Sequence, residues 1–192
     1  VSHSISPLIH SRIFFKLGLN YSYLKKEVKR EELALFVQEC RSRRCPGFNV
    51  TIPHKEPVVV LLDSLDPSAD QIGAVNTVTR LSNGLRGYNT DIRGCRESLI
   101  QNINMNGKNA VILGAGGAAR AGAAALIDLG AARVTIINRD QQKARTLCRD
   151  LGTRRNNLDS ALYSEDSLEK HLDCASMLIN ATPIGMWPET GE

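Results

Sequence analysis

The sequence lacks the features that would place it in a membrane or on nucleic acid. No apolar run approaches the ~20 residues that a membrane-spanning helix needs. The net charge of +4 is mild, and glutamates interrupt the basic residues between positions 25 and 44. Such mixing is typical of a solvated face rather than of a nucleic-acid-binding stripe. We therefore expect neither a membrane nor a nucleic acid as a partner.

Metal-binding and disulfide patterns are also missing. The five cysteines are an odd number, and no CxxC or Cys/His spacing typical of a zinc site occurs. Free thiols in a reducing compartment are the simplest account, so the sequence predicts no metal site and a cytoplasmic location. No internal repeat or low-complexity stretch is present.

The two ends of the chain look cut. Val1 leads directly into a motif, and residues 188–192 are polar loop sequence that follows an apolar stretch. We expect a chain truncated at both ends, long enough for one large domain or two small ones.

Residues 1–90 are expected to form an N-terminal α/β substrate-binding domain of short elements. Ser6 is a candidate N-cap with Pro7 behind it, so a helix is predicted over residues 6–18. An Asn-Gly pair at 83–84 predicts a hairpin of strands 75–81 and 85–88. Further elements are predicted as strands at 21–28 and 47–52 and helices at 31–43 and 55–62.

The second half has a different pattern of predicted elements. A connecting helix is predicted within residues 91–106, and residues 107–192 then alternate strands with helices. The strands are predicted at 109–113, 133–138 and 176–181, and the helices at 117–129 and 141–151. This alternation predicts an α/β fold with a Rossmann-type, doubly wound parallel sheet, incomplete in this chain.

A G-x-G-x-x-A motif lies at the first strand-to-helix turn of this half. Gly114 permits a tight turn, Gly116 lets the backbone approach a pyrophosphate, and Ala119 lets the helix pack closely on the strand. The helix N-terminus offers free N–H groups to that phosphate. The motif therefore predicts a dinucleotide site, with a ligand-free glycine turn as the alternative. Its predicted cofactor-binding residues are Gly114, Ala115, Gly116, Gly117 and Ala118.

The end of the second strand bears on the choice of cofactor. Arg139, next to Asn138, suits the adenine and a 2′-phosphate, and Lys143 adds a second positive charge. Asp140 argues the other way, because a carboxylate repels a phosphate but accepts from a ribose 2′-hydroxyl. NADP is the predicted cofactor, and NAD is the alternative.

Polar residues interrupt buried-looking sequence in the first half. Ser4 and Ser6 fall two apart, so in an extended segment both hydroxyls point to one side and suit a carboxylate. Asn49 and Thr51 would likewise share a strand face, with Lys55 at the mouth of the cleft. A spare serine beside an N-cap and a surface lysine are the alternatives.

Asp91 opens a predicted helix, where a carboxylate is electrostatically favoured. It could therefore be a helix cap and no more. It closes the segment Gly-Tyr-Asn-Thr-Asp, which follows Gly-Ala-Val-Asn-Thr with Asn76.

Seven motifs together resemble the shikimate and quinate dehydrogenase family. S-x-S-P-x-x-H, N-V-T-x-P-x-K, G-A-x-N-T, G-x-N-T-D-x-x-G, G-A-G-G-A-x-R, N-R and N-A-T-P-x-G-M occur in the family's order between Ser4 and Met186. The resemblance implies that Lys55 and Asp91 are the catalytic pair, and that Thr182 and Met186 lie on the nicotinamide side. The substrate's carboxylate and hydroxyls would be held by Ser4, Ser6, Asn49, Thr51 and Asn76.

The activity implied is NADP-dependent, reversible reduction of 3-dehydroshikimate to shikimate, in the biosynthesis of chorismate and aromatic amino acids. A quinate/shikimate dehydrogenase using NAD is the first alternative, and a ligand-sensing homologue without catalysis is the second. A monomer or homodimer that binds a small molecule is expected. This chain departs from many relatives at Ser11, where asparagine is common, and at Asp140, where NADP-preferring relatives often have threonine.

Overall fold

A computed structural model describes residues 4–42, 45–100, 103–152 and 157–185. These residues form two four-stranded sheets, each packed against helices. No described helix combines the length and apolarity that a membrane crossing requires.

The first sheet is mixed, with strand order β1-β3-β4-β2. Its strands are β1 (Gly47–Asn49), β2 (Ser64–Leu65), β3 (Thr77–Leu81) and β4 (Gly84–Tyr88). β3 and β4 form the predicted hairpin, in which Leu81 pairs with Gly84. Alternate residues such as Val78 and Leu85 are buried, because successive side chains of a strand point to opposite faces.

Among the described residues, four α-helices belong to the first half. They are α1 (Ser6–Lys16), α2 (Leu33–Ser42, after a 3-10 turn at Arg30–Glu32), α3 (Pro67–Ile72) and α4 (Asp91–Ile100). We did not predict α3, although sequence signals mark both of its ends. Asp66 caps it by accepting from the Ser68 N–H at 3.1 Å, and Gly73 ends it with a left-handed φ of 62°.

The second sheet confirms the predicted parallel, doubly wound fold. It has strands β5 (Asn109–Leu113), β6 (Arg133–Asn138), β7 (Leu158–Leu162) and β8 (Met177–Asn180), with helices α5 (Gly117–Asp128), α6 (Gln141–Gly152) and α7 (Glu165–Leu172) between them. All strand pairs are parallel and the order is β7-β6-β5-β8. The order reverses between β5 and β8, which is where such sheets open a crevice at the carboxyl ends of their strands. We missed β7 because its polar, half-exposed sequence lacks an apolar run.

Three buried clusters hold the structure together. One lies between the second sheet and its helices, and one lies between α2 and the first sheet. The third joins the two halves: Ile72, Ala74 and Ile92 pack with Ala121 and Ala124 of α5. The alanines on α5 have short side chains, so the two halves approach closely along this helix.

The strand predicted at 21–28 is not formed. Tyr21 and Tyr23 instead pack their rings on α1, at centroid distances of 5.6 Å from Phe14 and 4.3 Å from His10. The two rings thus pack on a helix, although Tyr21 remains 56% exposed, and among the described residues the backbone of this segment pairs with no strand.

Three other local predictions need correction. The helix predicted at 55–62 is a series of turns with a 3-10 helix at Val59–Leu61, since Pro57 lacks an N–H and β-branched valines disfavour a helix. The strand predicted at 47–52 ends at Asn49, and Ile52 is exposed instead of facing inward. Ile5, not Ser6, is the N-cap of α1. The domain limits at 1–90, 91–106 and 107–192 stay a prediction.

Candidate active site

Lys55 and Asp91 form an ion pair in the first half of the chain. Lys55 Nζ lies 2.7 Å from Asp91 Oδ2, and their side chains are 17% and 31% exposed. The main chain fixes Lys55 as well, because its carbonyl accepts the Val75 N–H at 2.7 Å. A cation held by a carboxylate in a partly desolvated place can stabilise negative charge on a nearby oxygen.

Asn76 holds the other oxygen of Asp91. Its Nδ2 donates to Asp91 Oδ1 at 2.7 Å and to Thr90 Oγ1 at 2.9 Å, while its Oδ1 accepts the Thr90 N–H at 3.0 Å. Asn76 is buried. Both Asp91 oxygens are therefore engaged, which fixes the orientation of the carboxylate and hence of Lys55.

Asn89 caps α4 in place of Asp91. Its Oδ1 accepts the Asp91 N–H at 2.9 Å, and its Nδ2 donates to the Ala74 carbonyl at 3.0 Å. The Asp91 side chain is thus directed at Lys55 and Asn76, which argues against its being a helix cap alone. We did not single out Asn89, although an asparagine two residues before a helix start is a recognisable capping signal.

Asn49 lies at the edge of a cavity of about 1190 Å³ between β1, α2 and the segment before it. Its Nδ2 donates to Thr77 Oγ1 at 3.2 Å, and its Oδ1 accepts from Tyr23 Oη at 2.9 Å. Burial raises the pKa of Tyr23, which keeps its hydroxyl a donor. Thr51 also lines the cavity, but from a turn rather than from the strand face that we predicted.

The cavity does not coincide with the ion pair. Neither Lys55 nor Asp91 lines it, and Asn49 connects the two through Thr77, whose Oγ1 donates to Asn76 Oδ1 at 2.9 Å. We take the ion pair as the candidate catalytic site, because its charged groups lie close together and are hydrogen-bonded, whereas the cavity is lined mainly by apolar atoms.

Ser4 and Ser6 lie side by side at the start of α1. Ser4 Oγ donates to Ser6 Oγ at 3.1 Å, so the hydroxyls are adjacent as predicted, although Ser6 is helical rather than extended. Among the residues that the structure describes, no hydrogen bond joins either serine to the ion pair. Their substrate role stays a prediction.

The glycine loop is shaped for a close ligand. Gly114 has a φ of 103°, and a side chain there would meet the Ala181 carbonyl oxygen at 2.9 Å. At Gly116 a side chain would meet no atom within 4 Å, so the loop faces open space. Gly116 is the N-cap of α5 and supplies no side-chain hydrogen bond, which leaves the first N–H groups of α5 for a ligand. This uncapped helix end fits a pyrophosphate.

Lys55 lies directly against this loop. A side-chain carbon at Gly117 would be 3.0 Å from Lys55 Cδ, so the lysine stem rests where Gly117 has no side chain. The predicted catalytic and cofactor residues, far apart in sequence, therefore meet between the two halves.

The residues after β6 are arranged around Asp140. Its Oδ1 accepts the Lys143 N–H at 3.2 Å, its Oδ2 lies 3.9 Å from Lys143 Nζ, and its carbonyl accepts from Asn138 Nδ2 at 2.9 Å. Arg139 is exposed beside them. Asp140 thus serves as a helix cap, and its carboxylate lies near the Lys143 ammonium at the exposed end of β6.

Thr182 borders the glycine loop from the end of β8. Its methyl group would lie 3.3 Å from a side-chain carbon at Gly114, and its Oγ1 donates to Asn180 Oδ1 at 2.6 Å. Ala118 is exposed on the first turn of α5 and Ala115 is partly buried. Met186 lies outside the described residues.

Cys95 lies one helical turn from Asp91. Burial raises the pKa of its thiol, and the negative charge of Asp91 raises it further. Cys95 therefore stays a neutral thiol beside the ion pair. The described residues contain no group of three or more His, Cys, Asp or Glu side chains that could hold a metal ion.

Two family models match this chain. Residues 1–78 match the shikimate dehydrogenase substrate binding domain, and residues 97–184 match shikimate / quinate 5-dehydrogenase. The first model runs from α1 to the start of β3 and includes Lys55 and Asn76, and the second covers the glycine loop.

Similar proteins and solved structures agree with these matches. The shikimate dehydrogenase (NADP(+)) of Methanothermobacter thermautotrophicus is 39% identical over all of this chain and 68% of its own length. The shikimate 5-dehydrogenase of Listeria monocytogenes, solved in complex with shikimate and NAD, is 34% identical with a TM-score of 0.83, over 100% of this chain and 68% of that one. A shikimate dehydrogenase solved in complex with NADP+ is 38% identical with a TM-score of 0.87, over 100% and 67% of the two chains.

This chain thus spans about two thirds of the length of these proteins. The identity extends over the whole chain, and both halves of the fold are matched. The chain belongs to the shikimate dehydrogenase family.

Proposed function

We propose that this protein catalyses the NADP-dependent, reversible reduction of 3-dehydroshikimate to shikimate, in the biosynthesis of chorismate and the aromatic amino acids. One observation carries the proposal. Lys55 Nζ is held 2.7 Å from Asp91 while the lysine stem rests against Gly117 of the nucleotide loop. This placement supports Lys55 as a proton donor beside the proposed cofactor site, which a ketone reductase requires.

A bound nicotinamide cofactor supplies the hydride. The residues that would hold its phosphates are the loop 114–118 and the first turn of α5, with Thr182 nearby. Arg139 and Lys143 would receive the 2′-phosphate, since both are exposed basic residues just after the end of β6. Two similar proteins support this choice. One is named as NADP(+)-dependent, and the other was solved in complex with NADP+.

The chain itself manages the substrate and one proton. In reduction, the Lys55 ammonium stabilises the charge that builds on the carbonyl oxygen and donates a proton to it; in oxidation, the neutral amine accepts that proton. Asp91 orients Lys55 and accepts from a neighbouring hydroxyl. Asn49, Thr51 and Asn76 bind further hydroxyls. The Ser4–Ser6 pair binds the carboxylate.

Quinate with NAD is the second candidate. The matched family model covers both shikimate and quinate dehydrogenases, and the Asp140 carboxylate could accept from a ribose 2′-hydroxyl. The four combinations of shikimate or quinate with NADP or NAD separate the candidates.

The first test is turnover of the intact protein at high pH, followed by the absorbance of reduced cofactor. We expect the highest kcat/KM with shikimate and NADP. A preference for quinate and NAD would favour the second candidate. Tight shikimate binding without turnover in any mixture would contradict catalysis and favour a ligand-sensing role.

Arg139→Ala is expected to raise the KM for NADP about 10–100-fold and to leave the KM for NAD nearly unchanged, since a charged hydrogen bond to phosphate is lost. Steady-state kinetics with both cofactors measure this. Arg145→Ala on the exposed side of α6 is the control. Equal losses with both cofactors would contradict a 2′-phosphate contact.

We further propose residues 1–90 as the substrate domain, 91–106 as the connecting helix and 107–192 as the nucleotide domain. A monomer or homodimer is proposed as the assembly. The cytoplasmic location is proposed from the five cysteines, all of which are free thiols.

A further inference from the structure

Arg120 on α5 is a buried cation that the proposed chemistry does not use. Its side chain is 6% exposed and lies at the junction of the two halves. Arg120 Nη1 donates to the Ile72 carbonyl at 3.3 Å, and Nη2 lies 3.0 Å from Asp150 Oδ2 and 3.5 Å from Glu56 Oε2. Among the residues that the structure describes, its buried Nε has no hydrogen-bond partner. A buried guanidinium is costly, so its position calls for a reason beyond stability.

The contacts of Arg120 fall into two groups. Asp150 belongs to α6, in the same half as α5. Ile72 and Glu56 belong to the other half: Ile72 ends α3, and Glu56 directly follows Lys55. The Arg120 guanidinium therefore connects α5 to Glu56, which is next to Lys55 in the chain, and to Ile72 at the end of α3.

Two routes lead from Arg120 to Lys55. The first is covalent, since the Glu56 side chain contacts Arg120 and its backbone continues into Lys55. The second runs through Ile72 to Val75, whose N–H binds the Lys55 carbonyl at 2.7 Å. The Lys55 stem also rests on Gly117, one helical turn before Arg120. All of these contacts help to fix the position of Lys55 relative to the first turn of α5.

We propose that Arg120 is a positioning residue that sets the distance of Lys55 Nζ from the nucleotide site by anchoring Glu56 and the end of α3 to α5. The inference rests on the proposed function. Arg120 touches neither substrate nor cofactor in this assignment. It acts through Glu56 and Ile72, while its Asp150 contact belongs to the packing of α5 on α6.

The test compares Arg120→Met, Glu56→Gln and Asp150→Asn in the intact protein. Arg120→Met should lower kcat about 10–100-fold, the effect of displacing a catalytic group by about an ångström, and leave the KM for NADP nearly unchanged. Glu56→Gln should also lower kcat, but by a smaller factor than Arg120→Met. Asp150→Asn, the matched control that removes only a negative charge facing Arg120 within the nucleotide half, should keep kcat. Arg120→Lys should recover part of the loss.

A double-variant cycle shows whether the two residues act together. Arg120→Met combined with Glu56→Gln should be no slower than Arg120→Met alone, because both changes break one connection. Additive losses would overturn the proposal. Normal kcat in Arg120→Met, or a loss of kcat in Asp150→Asn as large as that in Arg120→Met, would overturn it too.

Amide hydrogen exchange provides a readout independent of turnover. In Arg120→Met, the amides of His54 and Val58, which bond within the Lys55 turn, and of Val75 should exchange faster, and those of β6 should not. Unchanged exchange at these three amides would overturn the proposal. If the unaltered protein turns over neither shikimate nor quinate, the proposed function fails, but the exchange result still decides whether Arg120 anchors the Lys55 segment.

Discussion

Replacing Lys55 with methionine is expected to lower kcat for shikimate oxidation about 10²–10⁴-fold, the usual contribution of a positioned general acid or base. Methionine keeps much of the stem that packs on Gly117 and removes the ammonium that contacts Asp91. Substrate binding should change little, because the predicted carboxylate and hydroxyl contacts are made by other residues. The measurement is kcat from reduced-cofactor absorbance together with the Kd for shikimate from calorimetry.

The control for this prediction is Lys108→Met, which removes an exposed lysine from the second half. It should leave both quantities unchanged. Asp91→Asn should cost less than Lys55→Met, because the lysine remains to donate a proton. Normal turnover in Lys55→Met would refute the assignment of Lys55, and a larger loss in Asp91→Asn would point to Asp91 as the proton carrier.

Substituting Gly116 with valine is expected to weaken NADP binding about 10–100-fold while leaving the melting temperature nearly unchanged, since it blocks contacts to a charged phosphate. A side-chain carbon at Gly116 meets no atom of the protein within 4 Å, and the φ there is −97°, which any residue adopts. The space that valine would fill is the space left for the pyrophosphate.

Gly114→Val is the matched comparison. There the φ is 103° and a side chain would meet the Ala181 carbonyl oxygen at 2.9 Å, so the substitution should lower stability by about 1–3 kcal/mol. Thermal unfolding and NADP titration of both variants separate the effects. If Gly116→Val lost stability and kept its affinity for NADP, the pyrophosphate site would lie elsewhere.

Local sequence signals predicted the parts of the molecule whose structure depends on near neighbours. The apolar strands β5 and β6, the helix that follows the glycine loop and the β3–β4 hairpin all occur as predicted. Local signals also mark the two ends of α3, with a capping aspartate before it and a glycine after it, although we did not predict this helix. The segment 21–28 could not be assigned from its own residues, because the rings of Tyr21 and Tyr23 pack on side chains of α1, which lie outside the segment, rather than in a sheet.

The sequence alone determined the parallel nucleotide sheet and the glycine turn, because hydrophobic periodicity and the demands of a tight turn act over a few residues. Only the tertiary structure decided that Lys55 and Asp91, which are 36 residues apart, form an ion pair. It also decided that the Lys55 stem rests on Gly117 and that Arg120 connects both halves. These contacts depend on how the two halves pack along α5. No local pattern encodes that packing, because it is set by the burial of side chains that are distant in the sequence.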